Sequence, residues 1–452
     1  MSNALTKFAE IRQIARKLDF SKLAQIARHI DVSRLLETVS QMTPEDLVKL
    51  SRAFGKKSRK KELPVPYGDF YQIGETLSSE DHALVMKVRE FMAREVKPIV
   101  NDFWLRGEFP FDLIPKFAEL NICGLTYRGY GCAGRTYVLE GLIAEEIARV
   151  DVSLCTFLGV QSGLAMGSIY LCGSEVQKQK YLPLMREFKL IGAFGLTEPD
   201  VGSGAAGGLT TTCQKDGDAW VLNGQKKWIG NATFSDLTII WARDISEGDV
   251  KGFIVEKNTP GFTPKKMQDK MALRIVQNAE IDLKDCRIPE TQRLQNAHGF
   301  RDTAAVLRMT RAGVAWQAVG CARGAYESAL SYCQTRKQFG RPIGSFQLVQ
   351  EMLAHMLSQL TAMQTMVLRL SEMQDQGKLK DEHASLAKVF CTTSCREVVS
   401  QARELMGGNG ILLSYDVARF VADSEAIYSY EGTKQVNSLI VGRAITGFSA
   451  FV

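Results

Sequence analysis

The chain has 452 residues, enough for two or three domains, and its 45% hydrophobic and 23% charged side chains are the balance of a soluble globular protein. A formal net charge of +6 is too small an excess at this length to argue for nucleic acid, although it would suit a polyanionic ligand such as a nucleotide. No uncharged apolar run of about 18 residues stands out, so no transmembrane segment is expected.

Residues 1–66 read as an appendage. A twelve-residue repeat places Ile11, Leu23, Leu35 and Leu47 in one phase and Leu18, Ile30, Met42 and Phe54 in another. Asp19, Asp31 and Thr43 open successive units as N-caps, which predicts short helices broken at each cap. A basic run, Lys56-Lys57-Ser58-Arg59-Lys60-Lys61, and two prolines, Pro64 and Pro66, then read as a linker. The first residues lack a secretory apolar core, and four basic side chains against one acidic in residues 1–18 leave a mitochondrial leader open. The last residues are not a peroxisomal tripeptide. A bacterial cytoplasm or a mitochondrial matrix is the expected compartment.

Residues 67–190 have helical periodicity, with Leu84, Val88, Phe91 and Met92 on one face, interrupted by the glycine-rich loop Arg128-Gly129-Tyr130-Gly131-Cys132-Ala133-Gly134. Over 191–292 the period falls to that of strands. Ala219-Trp220-Val221-Leu222 runs into an Asn223-Gly224 turn, and Leu237–Ala242 and Gly252–Val255 read as buried strands. Helical spacing returns over 293–452, where Leu348 through Met373 is helix-compatible throughout and supplies apolar positions for a bundle. The order α, β, α without βαβ alternation is an α+β arrangement. No G-x-G-x-x-G follows a strand, so a Rossmann cofactor site is not supported. Ten cysteines are scattered along the chain. Their closest pair, Cys391 and Cys395, has no second Cys or His pair nearby, so reduced buried thiols are expected and no metal.

Three constellations carry chemistry. Tyr430-Glu431-Gly432-Thr433 sets a carboxylate beside a glycine, which lets a ligand approach closely, though most Glu-Gly pairs are surface turns. Arg336-Lys337-Gln338-Phe339-Gly340 offers an arginine for a pyrophosphate and a phenylalanine for an aromatic ring. Leu405-Met406-Gly407-Gly408-Asn409-Gly410 can bring backbone N–H groups to phosphate or ribityl oxygens. Taken singly, the last two fit ordinary helix ends as well.

In this order, with Leu196-Thr197-Glu198-Pro199, Gly202-Ser203, Trp228-Ile229-Gly230-Asn231 and Ile440-Val441-Gly442-Arg443, they resemble the acyl-CoA dehydrogenase family over about residues 75–450. Within it, Gly129-Tyr130-Gly131-Cys132 and Gly442-Arg443-Ala444-Ile445-Thr446-Gly447 are most similar to glutaryl-CoA dehydrogenases and plant short-chain acyl-CoA oxidases. The resemblance implies an N-terminal helical domain, a central β-barrel or sandwich domain and a C-terminal four-helix bundle, with bound FAD, an acyl-CoA substrate and a homotetramer. It makes Glu431 the base for the substrate's α proton, a role that needs a carboxylate pKa raised by desolvation. It places Phe194, Leu196, Thr197, Trp228 and Gly230 against the flavin, and Ser203 near the flavin phosphate or coenzyme A. Arg336, Phe339, Gln347, Glu404, Leu405, Met406, Gly407 and Gly408 match positions that reach a neighbouring subunit's FAD. Thr433 and Gln435 match contacts to the adenosine half. Arg311, Tyr430 and Gly432 match substrate contacts.

Three departures shape the expectation. Gly230 stands where many members have a threonine that bonds flavin N5, a change that favours oxygen reactivity. Gly204 replaces an aspartate after Gly202-Ser203. Cys155 stands where glutaryl enzymes place an arginine for the distal carboxylate, with Gly159 replacing a serine, so an uncharged acyl chain is expected. Electrons would pass to an electron-transfer flavoprotein. The alternatives are an oxidase that reduces oxygen to peroxide, and an inactive member kept as a scaffold for the N-terminal arm.

Overall fold

The computed structural model describes residues 63–65 and 67–450, together with Thr43 and Asp46. The chain divides into two units, Met1–Pro64 and Val65–Val452. The expected repeat and basic linker lie outside the described residues, except for the cap at Thr43. There Asp46 N donates to Thr43 Oγ1 at 3.3 Å and Thr43 N donates to Asp46 Oδ2 at 3.2 Å, a reciprocal cap.

In the second unit four of the early helices open on the capping side chain the sequence puts there. Ser78 caps α1 (Ser79–Phe91), Thr136 caps α2 (Tyr137–Ala148) and Asp151 caps α3 (Val152–Leu158), each accepting a backbone N–H three residues on. A π-helical turn, Gly159–Ala165, leads into α4 (Met166–Cys172). Ser174 and Gln177 form a capping box on α5 (Glu175–Arg186). Val88, Phe91 and Met92 are buried as the periodicity requires, and Leu84 packs against them partly exposed. The glycine-rich loop is a small hairpin pairing Arg128–Gly129 with Cys132–Ala133. One reading needs correction: Val152–Cys172 is an uncharged run long and apolar enough to cross a membrane. Within it, 78% of its most apolar 18-residue window is buried inside the protein, as in the core helix of a soluble fold.

Seven strands follow: β1 (Gly192–Gly195), β2 (Thr212–Asp216), β3 (Ala219–Ile229), β4 (Leu237–Asp244), β5 (Val250–Glu256), β6 (Phe262–Lys266) and β7 (Ala279–Pro289). They form one sheet in the order β1-β4-β2-β3-β7-β6, with β5 antiparallel to β4. β1 and β2 both run parallel to β4, β1 at its start and β2 at its end. Trp220, Leu222, Ile240, Phe253, Ile281 and Ile288 build a core for this sheet separate from the helical one. Asn223-Gly224 is not a turn. The strand runs on to Ile229 with a register shift there, because a side chain on Gly224 (φ +143°) would meet the backbone of Thr211. The hairpin turn is Gly217-Asp218, between paired Asp216 and Ala219.

Five long helices complete the unit: α6 (Phe300–Thr335), α7 (Gln347–Asp375), α8 (Asp381–Leu405), α9 (Val417–Ser429) and α10 (Lys434–Thr446). α8 packs against the other four. α6, with 36 residues, is roughly 54 Å long at 1.5 Å per residue and also crosses α2. At that crossing a Cβ on Gly324 would overlap the Arg149 carbonyl oxygen, and Arg323 binds Glu145 at 2.8 Å and Glu146 at 3.2 Å. All ten cysteines are free, nine of them buried, Cys391 and Cys395 included. Gly324→Ala should therefore cost about 1–3 kcal/mol in urea unfolding. Gly313→Ala, in the same helix with nothing within 4 Å of the added carbon, should stabilise by about 0.5–1 kcal/mol.

Candidate active site

α9 ends at Ser429, and α10 begins at Lys434 under the Thr433 cap, whose Oγ1 accepts Val436 N at 3.3 Å. Between them the chain turns with Glu431 at φ +56° and Gly432 at φ +84°. A left-handed glutamate is strained and persists only where its surroundings hold it. Asn437 Nδ2 donates to the carbonyls of Gly432 at 2.8 Å and Thr433 at 3.1 Å. From α8, Lys388 Nζ donates to Tyr428 O and Gly432 O, each at 2.8 Å. The Tyr430 hydroxyl donates to Gln317 Oε1 on α6.

The Glu431 carboxylate accepts the Thr310 hydroxyl at 3.3 Å. Burial raises its pKa above the ordinary glutamate value, while Arg311, the Thr310 hydroxyl and Lys388 pull the other way. Burial drives Lys388 down to about 8 against the pull of Glu431. Arg311 Nε is buried with no acceptor among the described residues, a donor left over near the carboxylate. The sequence reading singled out Glu431, Tyr430, Gly432, Thr433 and Arg311, and these meet here. It missed Lys388, Thr310, Gln317 and Asn437. A signal for Lys388 exists: helical spacing sets it among Ala384, Cys391, Thr392 and Cys395, all buried.

A second group lies along the sheet. Phe194 lies in β1 side by side with Ile239, and Leu196 and Thr197 follow the end of the strand at Gly195. The buried ion pair Lys226–Glu198 at 2.8 Å pins this stretch, with Lys226 Nζ also donating to Leu196 O at 3.0 Å. Glu198 further accepts Thr210 N, the Thr210 hydroxyl and Thr211 N. Burial works against its charge, but Lys226 and these donors hold its pKa at about 2. Lys227 N donates to Thr197 O at 2.8 Å, which lays the two segments together. Trp228 then turns outward at φ +64° with its indole 54% exposed, and Gly230 is buried. Ser203 is exposed on the bend that follows Pro199.

The π-helical turn Gly159–Ala165 joins these two groups. Its Val160 lies 3.3 Å from where a Cβ on Gly230 would sit, and a Cβ on its Gly163 would lie 3.1 Å from Thr310 Cγ2. Gln161 fixes the turn by donating to Met185 O and Leu190 O and accepting Gly192 N. π-turns concentrate at functional sites. Cys155, just before it, is a buried neutral thiol pushed up to about 12 by burial.

A third group sits elsewhere. Arg336 and Phe339 follow the C-terminus of α6, Gln347 starts α7, Glu404 and Leu405 end α8, and Met406, Gly407 and Gly408 follow it. Asn409 Nδ2 donates to Tyr332 Oη at 2.9 Å and ties these ends together. Phe339 is 92% exposed at φ +51°. Arg336 is 25 positions beyond Arg311, roughly 38 Å further along the helix axis, too far to serve the same chain's Glu431. Gln435 is exposed in the first turn of α10.

The chain matches the acyl-CoA dehydrogenase N-terminal domain at residues 78–189, the middle domain at 193–286 and the C-terminal domain at 297–446. It belongs to the acyl-CoA dehydrogenase family. Among its relatives is a 3-(aryl)acrylate reductase of Clostridium sporogenes, 35% identical over 80% of this chain and 98% of that enzyme. Another is the CarC subunit of a caffeyl-CoA reductase-Etf complex of Acetobacterium woodii, 33% identical over 80% of this chain and 97% of the subunit. A glutaryl-CoA dehydrogenase from Mycobacterium smegmatis, solved in complex with FADH2, superposes with a TM-score of 0.83 at 34% identity, covering 86% of this chain and all of that one. As in other family members, helical N- and C-terminal regions flank a curled central sheet.

Removing Lys226 should test how the second group is held. Lys226→Met leaves Glu198 buried and unpaired and should cost about 3–5 kcal/mol in urea unfolding. The double variant Lys226→Met/Glu198→Gln should recover a large part of that loss.

Proposed function

We propose that this enzyme removes hydrogen from the α and β carbons of an acyl-CoA thioester to leave a trans-2-enoyl-CoA, with Glu431 as the base. The observation that carries this reading is the Glu431 turn. A carboxylate with a pKa raised by burial stands in a strained, clamped conformation beside the cation of Arg311. An α proton next to a thioester is weakly acidic, so the base needs that raised pKa, and the thioester carbonyl needs hydrogen-bond donors as charge develops on it. The backbone N–H of Glu431 is the chain's own donor in this scheme, and Arg311, Tyr430 and Gly432 contact the substrate.

The residues present fit FAD. Phe194, Leu196, Thr197, Trp228 and Gly230 offer an aromatic face, backbone groups and a floor without a side chain, and Ser203 offers a hydroxyl. Bound FAD supplies the acceptor for the β hydride. Arg336, Phe339, Gln347 and Glu404, Leu405, Met406, Gly407 and Gly408 would hold the FAD of a neighbouring subunit, and Thr433 and Gln435 the adenosine half. The length of α6 between Arg311 and Arg336 supports such an arrangement, in which a homotetramer completes each site. An electron-transfer flavoprotein is the proposed acceptor, in keeping with the relative named from an Etf complex. In the reverse direction Glu431 returns the α proton, the sense in which the two relatives named as reductases are described.

Cys155 bears on the acyl group. A neutral thiol there leaves a distal carboxylate without a partner, at a cost of several kcal/mol, so the substrate is uncharged at that end. Gly230 favours one second reading, an oxidase, because it places no hydroxyl beside the flavin.

Anaerobic titration with short-, medium- and long-chain acyl-CoA should bleach the flavin and rank the chain lengths, and glutaryl-CoA should bleach it poorly. Slow recovery of colour in air is expected, whereas fast recovery with peroxide would establish the oxidase. Glu431→Gln should keep its flavin and lose bleaching by about a hundredfold or more. Near-normal bleaching in that variant would overturn the assignment of the base. Because burial raises the Glu431 pKa, the bleaching rate should fall as pH drops through that raised value, at a higher pH than for an exposed glutamate.

A further inference from the structure

We propose that Lys388 is the positioning residue of this reaction: its buried ammonium clamps the backbone on both sides of Glu431 and holds the base in its working conformation. The inference rests on Glu431 being the base.

Lys388 is fully buried, and its Nζ spends two of three protons on Tyr428 O and Gly432 O at 2.8 Å. Tyr428 lies in the last turn of α9, and Gly432 follows Glu431 directly. The clamp therefore spans the strained residue from a third helix, α8. Asn437 also holds the turn, but its bonds go to the carbonyls of Glu431 itself at 3.4 Å, Gly432 and Thr433, none of them before Glu431. Of the two, only Lys388 reaches across.

Neutral donors could bind the same two carbonyls without the desolvation cost of an ammonium. The charge has a use here. The groups that act on Glu431 are Arg311 and Thr310 from α6 and Lys388 from α8, with the Tyr430 phenol adjacent in the turn. The charges that act on Lys388 are Glu431 and Arg311. Burial raises the carboxylate's pKa, and the two cations pull against that rise, so the group can be desolvated without losing its charge to burial alone. Lys388 is held by two backbone carbonyls of the turn, whereas Arg311 Nε has no acceptor among the described residues.

The test is the pH dependence of flavin bleaching by acyl-CoA in the holoenzyme, measured for the wild type, Glu431→Gln, Lys388→Gln, Lys388→Met and Lys388→Arg, with flavin content and urea midpoint recorded for each. Lys388→Gln keeps two N–H donors and loses the charge. Its flavin content should stay near wild type, its acid limb should move up by roughly one pH unit, and its rate at neutral pH should fall about tenfold or more. Lys388→Arg should lose rate with little movement of the acid limb. Lys388→Met should lose both clamp and charge and be the slowest of the three. If it does not fold, Lys388→Gln decides. A wild-type acid limb in Lys388→Gln would overturn the proposal, and so would loss of flavin from every Lys388 variant while Glu431→Gln stays yellow. Failure of the wild type itself to bleach would overturn the assignment of Glu431 and this inference with it.

Discussion

The role proposed for Glu431 imposes one constraint: a carboxylate must be desolvated enough to be a strong base and still carry a charge. Burial raises its pKa, and Arg311, the Thr310 hydroxyl and Lys388 pull it back. The protein meets the constraint with a left-handed turn between α9 and α10, a hydroxyl from Thr310, and cations from two different helices. Thr310 and Arg311 come from α6 and Lys388 from α8, so the surroundings of Glu431 form only when α6, α8, α9 and α10 are packed together.

The same logic explains the glycine contacts at the helix crossing. α6 can carry Thr310 and Arg311 to the turn only if its far half lies close on α2, and Gly324 permits that approach where any side chain would overlap the Arg149 carbonyl. Buried charges then lock the crossing. Arg323 binds Glu145, Glu146 and Glu327, and Arg89 and Arg149 bind Glu146 as well. Such clusters add little net stability over apolar packing, but breaking one partner is costly, which favours a single register. The Lys226–Glu198 pair does the same for the sheet segment that carries Leu196 and Thr197.

Length gives α6 a second consequence. Its middle serves one site and its C-terminal end lies roughly 38 Å away, among Arg336, Phe339 and the glycines after α8. An exposed phenylalanine in a left-handed conformation is a poor monomer surface, which is in keeping with the proposed role of this edge towards a neighbouring copy. The π-turn at Gly159–Ala165 has the complementary role within one chain, touching the Gly230 segment on one side and Thr310 on the other.

Much of this was legible in the sequence. Period changes marked the helical, strand and helical regions, because burial of one face imposes 3.6- or 2-residue spacing whatever the partner is. Capping residues marked helix starts, because their hydrogen bonds are local. Glu431, Arg336 and the Gly407-Gly408 pair stood out by residue type and order. Two readings failed for the same physical reason. Asn223-Gly224 reads locally as a turn and is a bulge, because the glycine answers to Thr211, just before β2. Residues 152–172 form an uncharged apolar run whose covering is protein, and only packing decides that. Lys388 was hidden likewise: a lysine in a helix is usually solvated, and what makes this one different is the turn, 40 residues on, that folds against it. The sequence by itself determined which segments are helix or strand and which side chains can do chemistry, since those depend on neighbours within a few residues. The tertiary structure alone decided which of those side chains meet, how far Glu431 is desolvated, and which cations restrain it, since these are set by groups far apart in the chain.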